Sequence, residues 1–159
     1  MDIKNKIKID SFEITRMYLA DIPEVLKMAV LAQGSFRISA ASSPTVFLSE
    51  ISENLQKNTR FSFVFRSKDK IFAAFIVKPQ TSKSAELLYA FSDPRAIQTE
   101  KLYDAFLEKL ESMQFEIFYV RVLKKRKKFE AYVRFLNLFG FKKVFNENDA
   151  HLILVKEKS

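Results

Sequence analysis

The chain closes with a helix, a glycine and two strands, and this pattern restricts its possible folds more than any other segment. Residues 125–139 carry apolar side chains at helical spacing, and Gly140 follows them directly. Glycine at this place is a common helix stop, because it readily adopts the left-handed conformation that ends many helices. Residues 141–145 and 152–155 are strand-like segments on either side of the polar residues 146–149. The sequence therefore predicts a helix followed by a closing pair of antiparallel strands.

The first half of the chain shows strand and helix patterns in turn. Residues 12–17 alternate like a strand, and Asp21 then starts a helix as its N-cap, with Glu24 as the capping-box partner. Ser43 and Pro44 start a second helix, with Pro in the first turn where its missing N–H costs nothing. Residues 34–42 between these helices are small and polar, which predicts a loop.

The middle of the chain predicts a hairpin and two βαβ-like units. The strand patterns cover residues 61–66, 71–77, 85–91 and 115–122, with a helical pattern between the last two. The run 71–77 is almost continuously apolar, which favours a central strand covered on both faces. The element order is β-α-α-β-β-β-α-β-α-β-β. We therefore expect an α/β (α+β) domain with a mixed, mostly antiparallel sheet of six to seven strands flanked by four helices.

Composition excludes several classes of protein. With 48% hydrophobic residues and 17 Phe, the 159 residues are expected to form a single domain, 1–159, with a substantial core. The chain has no Cys, which excludes disulfides and a thiolate nucleophile, and its one histidine, His151, cannot form a histidine-rich metal site. No apolar run approaches the length of a membrane span, so a cytoplasmic protein without a membrane partner is expected. The net charge of +8 favours anionic partners such as nucleic acid or a polyphosphate cofactor.

Three segments are similar to parts of one enzyme superfamily. Residues 14–16 and 20–24 (ITR and ADIPE) are similar to its first strand and the start of its first helix. Residues 71–76 (IFAAFI) are similar to its third strand, and residues 135–144 (FLNLFGFKKV) resemble its Y-x-x-x-G-F ending. With the element order, the chain resembles the GNAT superfamily of acetyl-CoA-dependent N-acyltransferases over nearly its whole length. The resemblance implies that the strand at 85–91 splays from the strand at 115–122, with the pantetheine of acetyl-CoA in the gap.

The family's glycine-rich pyrophosphate loop is not conserved in this sequence. The corresponding residues 91–100 (FSDPRAIQTE) contain no glycine. By resemblance, the residues of this segment that would contact the cofactor are Phe91, Asp93, Arg95, Gln98 and Thr99. Arg95 and Gln98 could donate to phosphate, whereas Asp93 would place a negative charge beside it. The alternative is an ordinary strand-to-helix turn, with Asp93 as the N-cap of the next helix.

The resemblance also suggests two catalytic residues. Glu86 matches the position of the family's general base, and burial among apolar neighbours would raise its pKa towards the value such a base needs. A solvent-facing glutamate on a sheet edge is the alternative. Family members often place a tyrosine proton donor four residues before the closing glycine, where this chain has Leu136. Tyr132, one turn earlier, could replace it, or could simply be a core residue.

Residues 124–128 (KKRKK) form a run of five cations. Such a run is often only a solvated loop, but in the resembled fold it lies near the phosphates of the cofactor. Lys124, Lys125 and Lys128 are therefore candidate cofactor ligands. The run could also hold a nucleic acid backbone, although no recognition motif accompanies it.

The resemblance implies an N-acyltransferase, a monomer or homodimer, that moves an acetyl group from acetyl-CoA to a primary amine on a small molecule or peptide. Two alternatives remain open. The missing glycines and Leu136 favour a catalytically degenerate GNAT-fold binding or regulatory protein. The positive charge alone is also consistent with a small nucleic-acid-binding domain.

Overall fold

A computed structural model describes residues 9, 11–31, 37–39, 43–95, 99–125 and 128–158. The strands are β1 (Glu13–Arg16), β2 (Arg37–Ser39), β3 (Phe63–Ser67), β4 (Lys70–Pro79), β5 (Ser84–Ser92), β6 (Ile117–Leu123), β7 (Lys143–Glu147) and β8 (His151–Glu157). The helices are α1 (Ile22–Leu31), α2 (Pro44–Asn58), α3 (Thr99–Ser112) and α4 (Phe129–Leu138). Among the described residues, no helix is both long enough and apolar enough to cross a membrane.

All eight described strands join one mixed sheet. Its order is β1-β3-β4-β5-β6-β8-β7, and β2 pairs with β5 outside this path. Only the β5–β6 pair is parallel, and the other pairs are antiparallel. The predicted fold class and element order are confirmed, with β2 as an added strand.

Helices cover the two faces of the sheet unequally. On one face, α3 and α4 pack on β4, β5, β6 and β8 through a core that includes Phe106, Leu136 and Phe118. On the other face, α1 and α2 cover β3, β4 and β5 through a second core that includes Val25 and Phe47. All residues of the predicted central strand 71–77 are buried, as expected for a strand covered on both sides.

Two of the tight connections use left-handed backbone conformations. Lys68 and Asp69 both have positive φ, 51° and 64°, so the β3–β4 hairpin closes with a two-residue turn whose twist matches that of the strands. Gly140 has φ +94° after α4. Around it, the Phe141 N–H donates to the Leu136 carbonyl and the Gly140 N–H to the Asn137 carbonyl, which together form a Schellman motif. The predicted glycine stop is confirmed.

One of the two predicted helix starts is correct and the other is wrong in detail. Ser43 caps α2 by accepting from the Val46 N–H at 3.2 Å, and Pro44 follows it. Asp21 instead belongs to a short 3₁₀ turn before α1, where its carboxylate accepts from the Tyr18 N–H at 2.8 Å. Glu24 accepts from the N–H of Ile71 on β4, so the proposed capping box does not form. A tertiary contact has replaced the local one.

Candidate active site

Strands β5 and β6 separate after a short paired segment. Their parallel register covers only Ser84↔Ile117, Ala85↔Phe118 and Glu86↔Tyr119. Just beyond this point, the β4–β5 register shifts from Val77↔Leu87 to Ile76↔Tyr89, which leaves an extra residue on β5. Such a bulge bends its strand. Glu86 therefore lies at the vertex of a gap that widens towards the carboxyl ends of β5 and β6.

The short strand β2 pairs with part of the β5 edge that this separation exposes. β2 pairs with it antiparallel, in the register Arg37↔Phe91, Ile38↔Ala90 and Ser39↔Tyr89. The sequence predicted loop for residues 34–42, and that prediction is wrong for residues 37–39. The physical reason is that the backbone groups of the β5 edge need partners once β6 has turned away.

Glu86 is almost fully buried, so the solvent-facing interpretation of this residue is wrong. Its carboxylate accepts from Nη2 of Arg121 on β6 at 3.1 Å, and the two side chains form an ion pair. Burial raises the pKa of Glu86, and the nearby charges of Arg121 and Lys78 oppose this shift without reversing it. A carboxylate with a raised pKa beside an open gap has the properties of a general base.

Three neighbours of Glu86 were missed by the sequence analysis. Tyr119 is its cross-strand partner, and burial together with the charge of Glu86 raises the pKa of this phenol. The hydroxyl of Tyr89 donates to the carboxylate of Glu50 on α2, whose charge also acts on Glu86. Arg121 had one sequence signal, since it is a charge in an otherwise apolar strand pattern, two residues after Tyr119.

A groove lies beside Glu86 on the same face of the sheet. It has a volume of about 530 Å³ and mostly apolar walls. The residues that line it come from β5, β6, β7 and β8; they are Ser84, Ile117, Tyr119, Arg121, Lys143, Phe145, Ile153, Val155 and Glu157. The groove is therefore a surface of the β6–β8–β7 part of the sheet.

Three of the predicted cofactor ligands lie at the end of β5 and in the loop after it. Asp93 is buried, and it accepts from the Arg95 backbone N–H at 2.9 Å and from Nε and Nη2 of Arg95 at 3.0 and 2.7 Å. Burial alone would raise the pKa of Asp93, but these hydrogen bonds outweigh it and lower the pKa. The side chain of Phe91 is buried against Phe47, so only its backbone could contact a ligand.

The position at which α3 begins rules out the alternative in which Asp93 is the N-cap of this helix. Pro94 and Arg95 form a turn, and the described helix begins at Thr99, so Asp93 is not its N-cap. Gln98 lies outside the described residues. The cofactor contacts predicted for Arg95, Gln98 and Thr99 stay predictions.

Among the described residues of the basic run 124–128, one lysine forms an ion pair and two lysines are exposed. Nζ of Lys124 lies 2.6 Å from Oε1 of Glu147 on β7. Lys125 and Lys128 are exposed, and Lys128, with φ 58°, immediately precedes α4. Residues 126 and 127 lie outside the described residues. The two exposed lysines stay the stronger candidates for phosphate contacts.

Tyr132 lies on the other side of the sheet from Glu86. It is buried on α4 in the core that includes Leu136, and its ring stacks on Phe135 with centroids 6.3 Å apart. The core interpretation is therefore correct for its ring. Its role as a proton donor stays a prediction.

Comparison with known proteins supports the fold. No protein-family model and no curated protein matches the sequence. Among solved structures, the PaiA N-acetyltransferase from Thermoplasma acidophilum, in complex with coenzyme A, matches with a TM-score of 0.67 and 16% identity, over 92% of this chain and 99% of that one. The ribosomal-protein-S18-alanine N-acetyltransferase from Escherichia coli gives 0.64 and 15%, over 94% and 95%.

A third match carries the family name. The GNAT-family acetyltransferase from Bacillus cereus ATCC 10987 has a TM-score of 0.62 and 10% identity, over 94% of this chain and 99% of that one. At such identities the likeness concerns the fold alone, and it agrees with the separating strands and the Gly140 ending described above. The chain has the fold of the GNAT N-acetyltransferases.

Proposed function

We propose that this protein is an N-acetyltransferase that moves an acetyl group from acetyl-CoA to a primary amine. The observation that carries the proposal is the buried Glu86 at the vertex where β5 and β6 separate. A gap between neighbouring strands could admit an extended thioester arm, and a carboxylate at its closed end could meet the attacking amine. The fold shared with known N-acetyltransferases supports this assignment.

Arg95 and the start of α3 have features that suit such a cofactor. α3 is a helix of 14 residues that begins at Thr99, shortly after β5 ends, and a helix N-terminus favours phosphate. The negative charge of Asp93, which would repel phosphate, is compensated by Arg95. Arg95, Gln98 and Thr99 would hold the pyrophosphate, and the exposed Lys125 and Lys128 would contact the outer phosphates. Acetyl-CoA supplies the acetyl group as a thioester that an amine can attack directly.

The roles of the chain's own residues follow from their chemistry. A carboxylate oxygen of Glu86 accepts a proton from the ammonium group of the acceptor and so produces the nucleophilic amine. The ion pair with Arg121 holds this carboxylate in a fixed orientation. Tyr132 is the candidate that returns a proton to the departing thiolate.

One observation favours a second candidate function. β2 pairs with Tyr89, Ala90 and Phe91, which are on the edge of β5 that faces the gap. If this pairing is permanent, the gap is closed to a pantetheine arm, and the chain is a GNAT-fold binding protein without catalysis. The leucine at position 136 agrees with this alternative.

A thermal-shift titration with acetyl-CoA tests the proposal. Ligand at about 100 times its Kd stabilises the native state by roughly 2.7 kcal/mol, which corresponds to about 5–10 °C for a domain of this size. No shift at millimolar acetyl-CoA contradicts the proposal and favours the binding protein. Salt-sensitive retention on DNA in the absence of a shift would favour the nucleic-acid alternative instead.

Glu86→Gln then tests the base. We expect turnover to fall about 100-fold or more, whereas the thermal shift with acetyl-CoA is retained. Because the base must be ionised and its pKa is raised, kcat/KM of the wild type should increase with pH through a midpoint higher than that of an ordinary glutamate, and this increase should be absent in the variant. The matched control is Glu108→Gln, an exposed carboxylate on α3. Equal turnover in the two variants would remove Glu86 from the mechanism.

A further inference from the structure

The groove beside Glu86 is large enough for a small molecule. Its volume of about 530 Å³ lies within the range of about 300–1,000 Å³ that is typical of ligand sites. Its walls include Tyr119 on β6, Phe145 on β7, and Ile153 and Val155 on β8. A ligand here would lie on the sheet, with its apolar part on an apolar surface.

Strand register makes this surface continuous with Glu86. Tyr119 lies opposite Glu86 on one side and Val155 on the other, and Arg121 lies opposite Ile153. Residues that are paired across strands, or two apart along one strand, share a face of the sheet. The groove and the carboxylate of Glu86 are thus on the same face, and Arg121 belongs to both.

The charges of the groove are arranged asymmetrically. Far from Glu86, Nζ of Lys143 pairs with Oε1 of Glu157 at 3.2 Å, so these two charges compensate each other. Near Glu86, the side chain of Arg121 is 45% exposed, and its one described hydrogen bond uses Nη2 alone. A guanidinium has five N–H donors in a planar fork that suits a second carboxylate. One end of the groove therefore presents the exposed guanidinium of Arg121, whose partner, the carboxylate of Glu86, is buried next to the lining, and the centre of the groove is apolar.

We propose that the acceptor substrate is an α-amino acid with an apolar side chain, a proposal that rests on the transferase function above. Its carboxylate takes the free donors of Arg121, which places its ammonium group next to the buried Glu86, and its side chain lies along Tyr119, Phe145 and Val155. A simple amine that drew Glu86 away from Arg121 would leave the guanidinium without compensation. A polyamine would place further positive charge against Arg121 and Lys143.

The bonds and protons of the acetyl transfer are all accounted for with this substrate. Glu86 accepts one proton from the ammonium group and later releases it to solvent. The amine nitrogen forms an amide bond with the acetyl carbon, and the C–S bond of the thioester breaks. The second proton lost by the nitrogen goes to the thiolate, so the products are an N-acetyl amino acid, CoA and one proton.

A matched substrate series tests the proposal by thiol release from acetyl-CoA. Leucine should exceed leucinamide, isoamylamine and spermidine by about 10- to 100-fold in kcat/KM, as expected for a lost charge-assisted hydrogen bond. Leucine should also exceed glycine, which lacks the apolar side chain. Leucinamide or spermidine acetylated as well as leucine would overturn the proposal and leave the transferase function intact.

Variants separate the two recognition elements. Arg121→Gln should remove the preference for leucine over leucinamide, and Arg121→Lys, which keeps the charge without the fork, should restore part of it. Phe145→Ala should lower kcat/KM for leucine but not for glycine. A preference for leucine that is unchanged in Arg121→Gln would overturn the carboxylate contact.

A binding measurement without acetyl-CoA distinguishes a failure of the amino-acid site from a failure of the transferase function. Calorimetric titration should show leucine binding that weakens about tenfold or more in Arg121→Gln. Such binding without any thiol release would contradict the transferase but support the amino-acid site. Thiol release with other amines and no leucine binding would contradict the site but support the transferase.

Discussion

One face of the sheet has two halves that differ in how they are covered. Over β3, β4 and β5, the helices α1 and α2 form a closed half, in which Phe47, Ile51 and Leu55 are completely buried. Over β6, β8 and β7, the same face forms an open half, and none of its residues belongs to the core that α1 and α2 build. Phe145 of this half is 74% exposed. Glu86 lies at the boundary between the two halves.

The difference indicates that the two halves have different tasks. Buried apolar area stabilises the fold, and the closed half contributes a full core layer to it. An exposed apolar surface contributes little to folding and is common where a ligand binds. The carboxylate of Glu86 at the boundary is desolvated, and its partner Arg121 is exposed on the open half, where a bound molecule can contact it.

The largest expected difference in stability is between the alanine variants of two phenylalanines, one in each half. Phe47→Ala should cost about 3–5 kcal/mol, because it leaves a cavity where its ring meets those of Tyr89 and Phe91. Phe145→Ala in the open half should stay within about 0.5 kcal/mol. Urea denaturation measures both. Similar losses in the two variants would contradict the division into a closed and an open half.

A smaller difference in stability is expected between the phenylalanine variants of two tyrosines. Tyr89→Phe removes the hydroxyl that donates to Glu50 within the closed half, and a hydrogen bond to a charged group is worth about 1.5–3 kcal/mol. Tyr119→Phe, in the half-exposed groove wall, should cost less than about 1 kcal/mol. The same denaturation measurement applies to both variants. A larger loss for Tyr119→Phe would reverse the comparison.

The smallest effect is expected for an ion pair of the open half. Lys143 and Glu157 are exposed, so a double-mutant cycle with alanine at both positions should give a coupling of only about 0.2–1 kcal/mol. The coupling should decrease with added salt, because exposed charges are screened. A salt-independent coupling well above this range would mean that the pair is desolvated and that the groove is less open than described.

Much of the fold was predictable because its signals are local. The cap at Ser43 and the stop at Gly140 depend on the conformational preferences of a few adjacent residues. Asp21 and Glu24 show where this reasoning fails. Both residue types suit a helix start, but Glu24 bonds to Ile71, 47 positions away. A local rule cannot anticipate a competing partner on another strand.

The candidate site was predictable only in part. Glu86 was found through a family resemblance, but its burial was left open, because alternation along one strand does not show what covers a face. Arg121 is 35 residues from Glu86, and Glu50 is 39 residues from Tyr89, so no sequence spacing connects these pairs. The strand at residues 37–39 was missed because it forms on an edge that exists only once β6 has separated from β5.

The sequence by itself determined the order of helices and strands, the glycine stop and the central buried strand, because periodicity and turn chemistry act over a few residues. Only the tertiary structure decided which strands are neighbours, where two of them separate, and which charges meet there. Those features depend on strand register and on helix coverage, which bring together residues that are distant along the chain. The chemistry proposed for this protein depends on that second set of features.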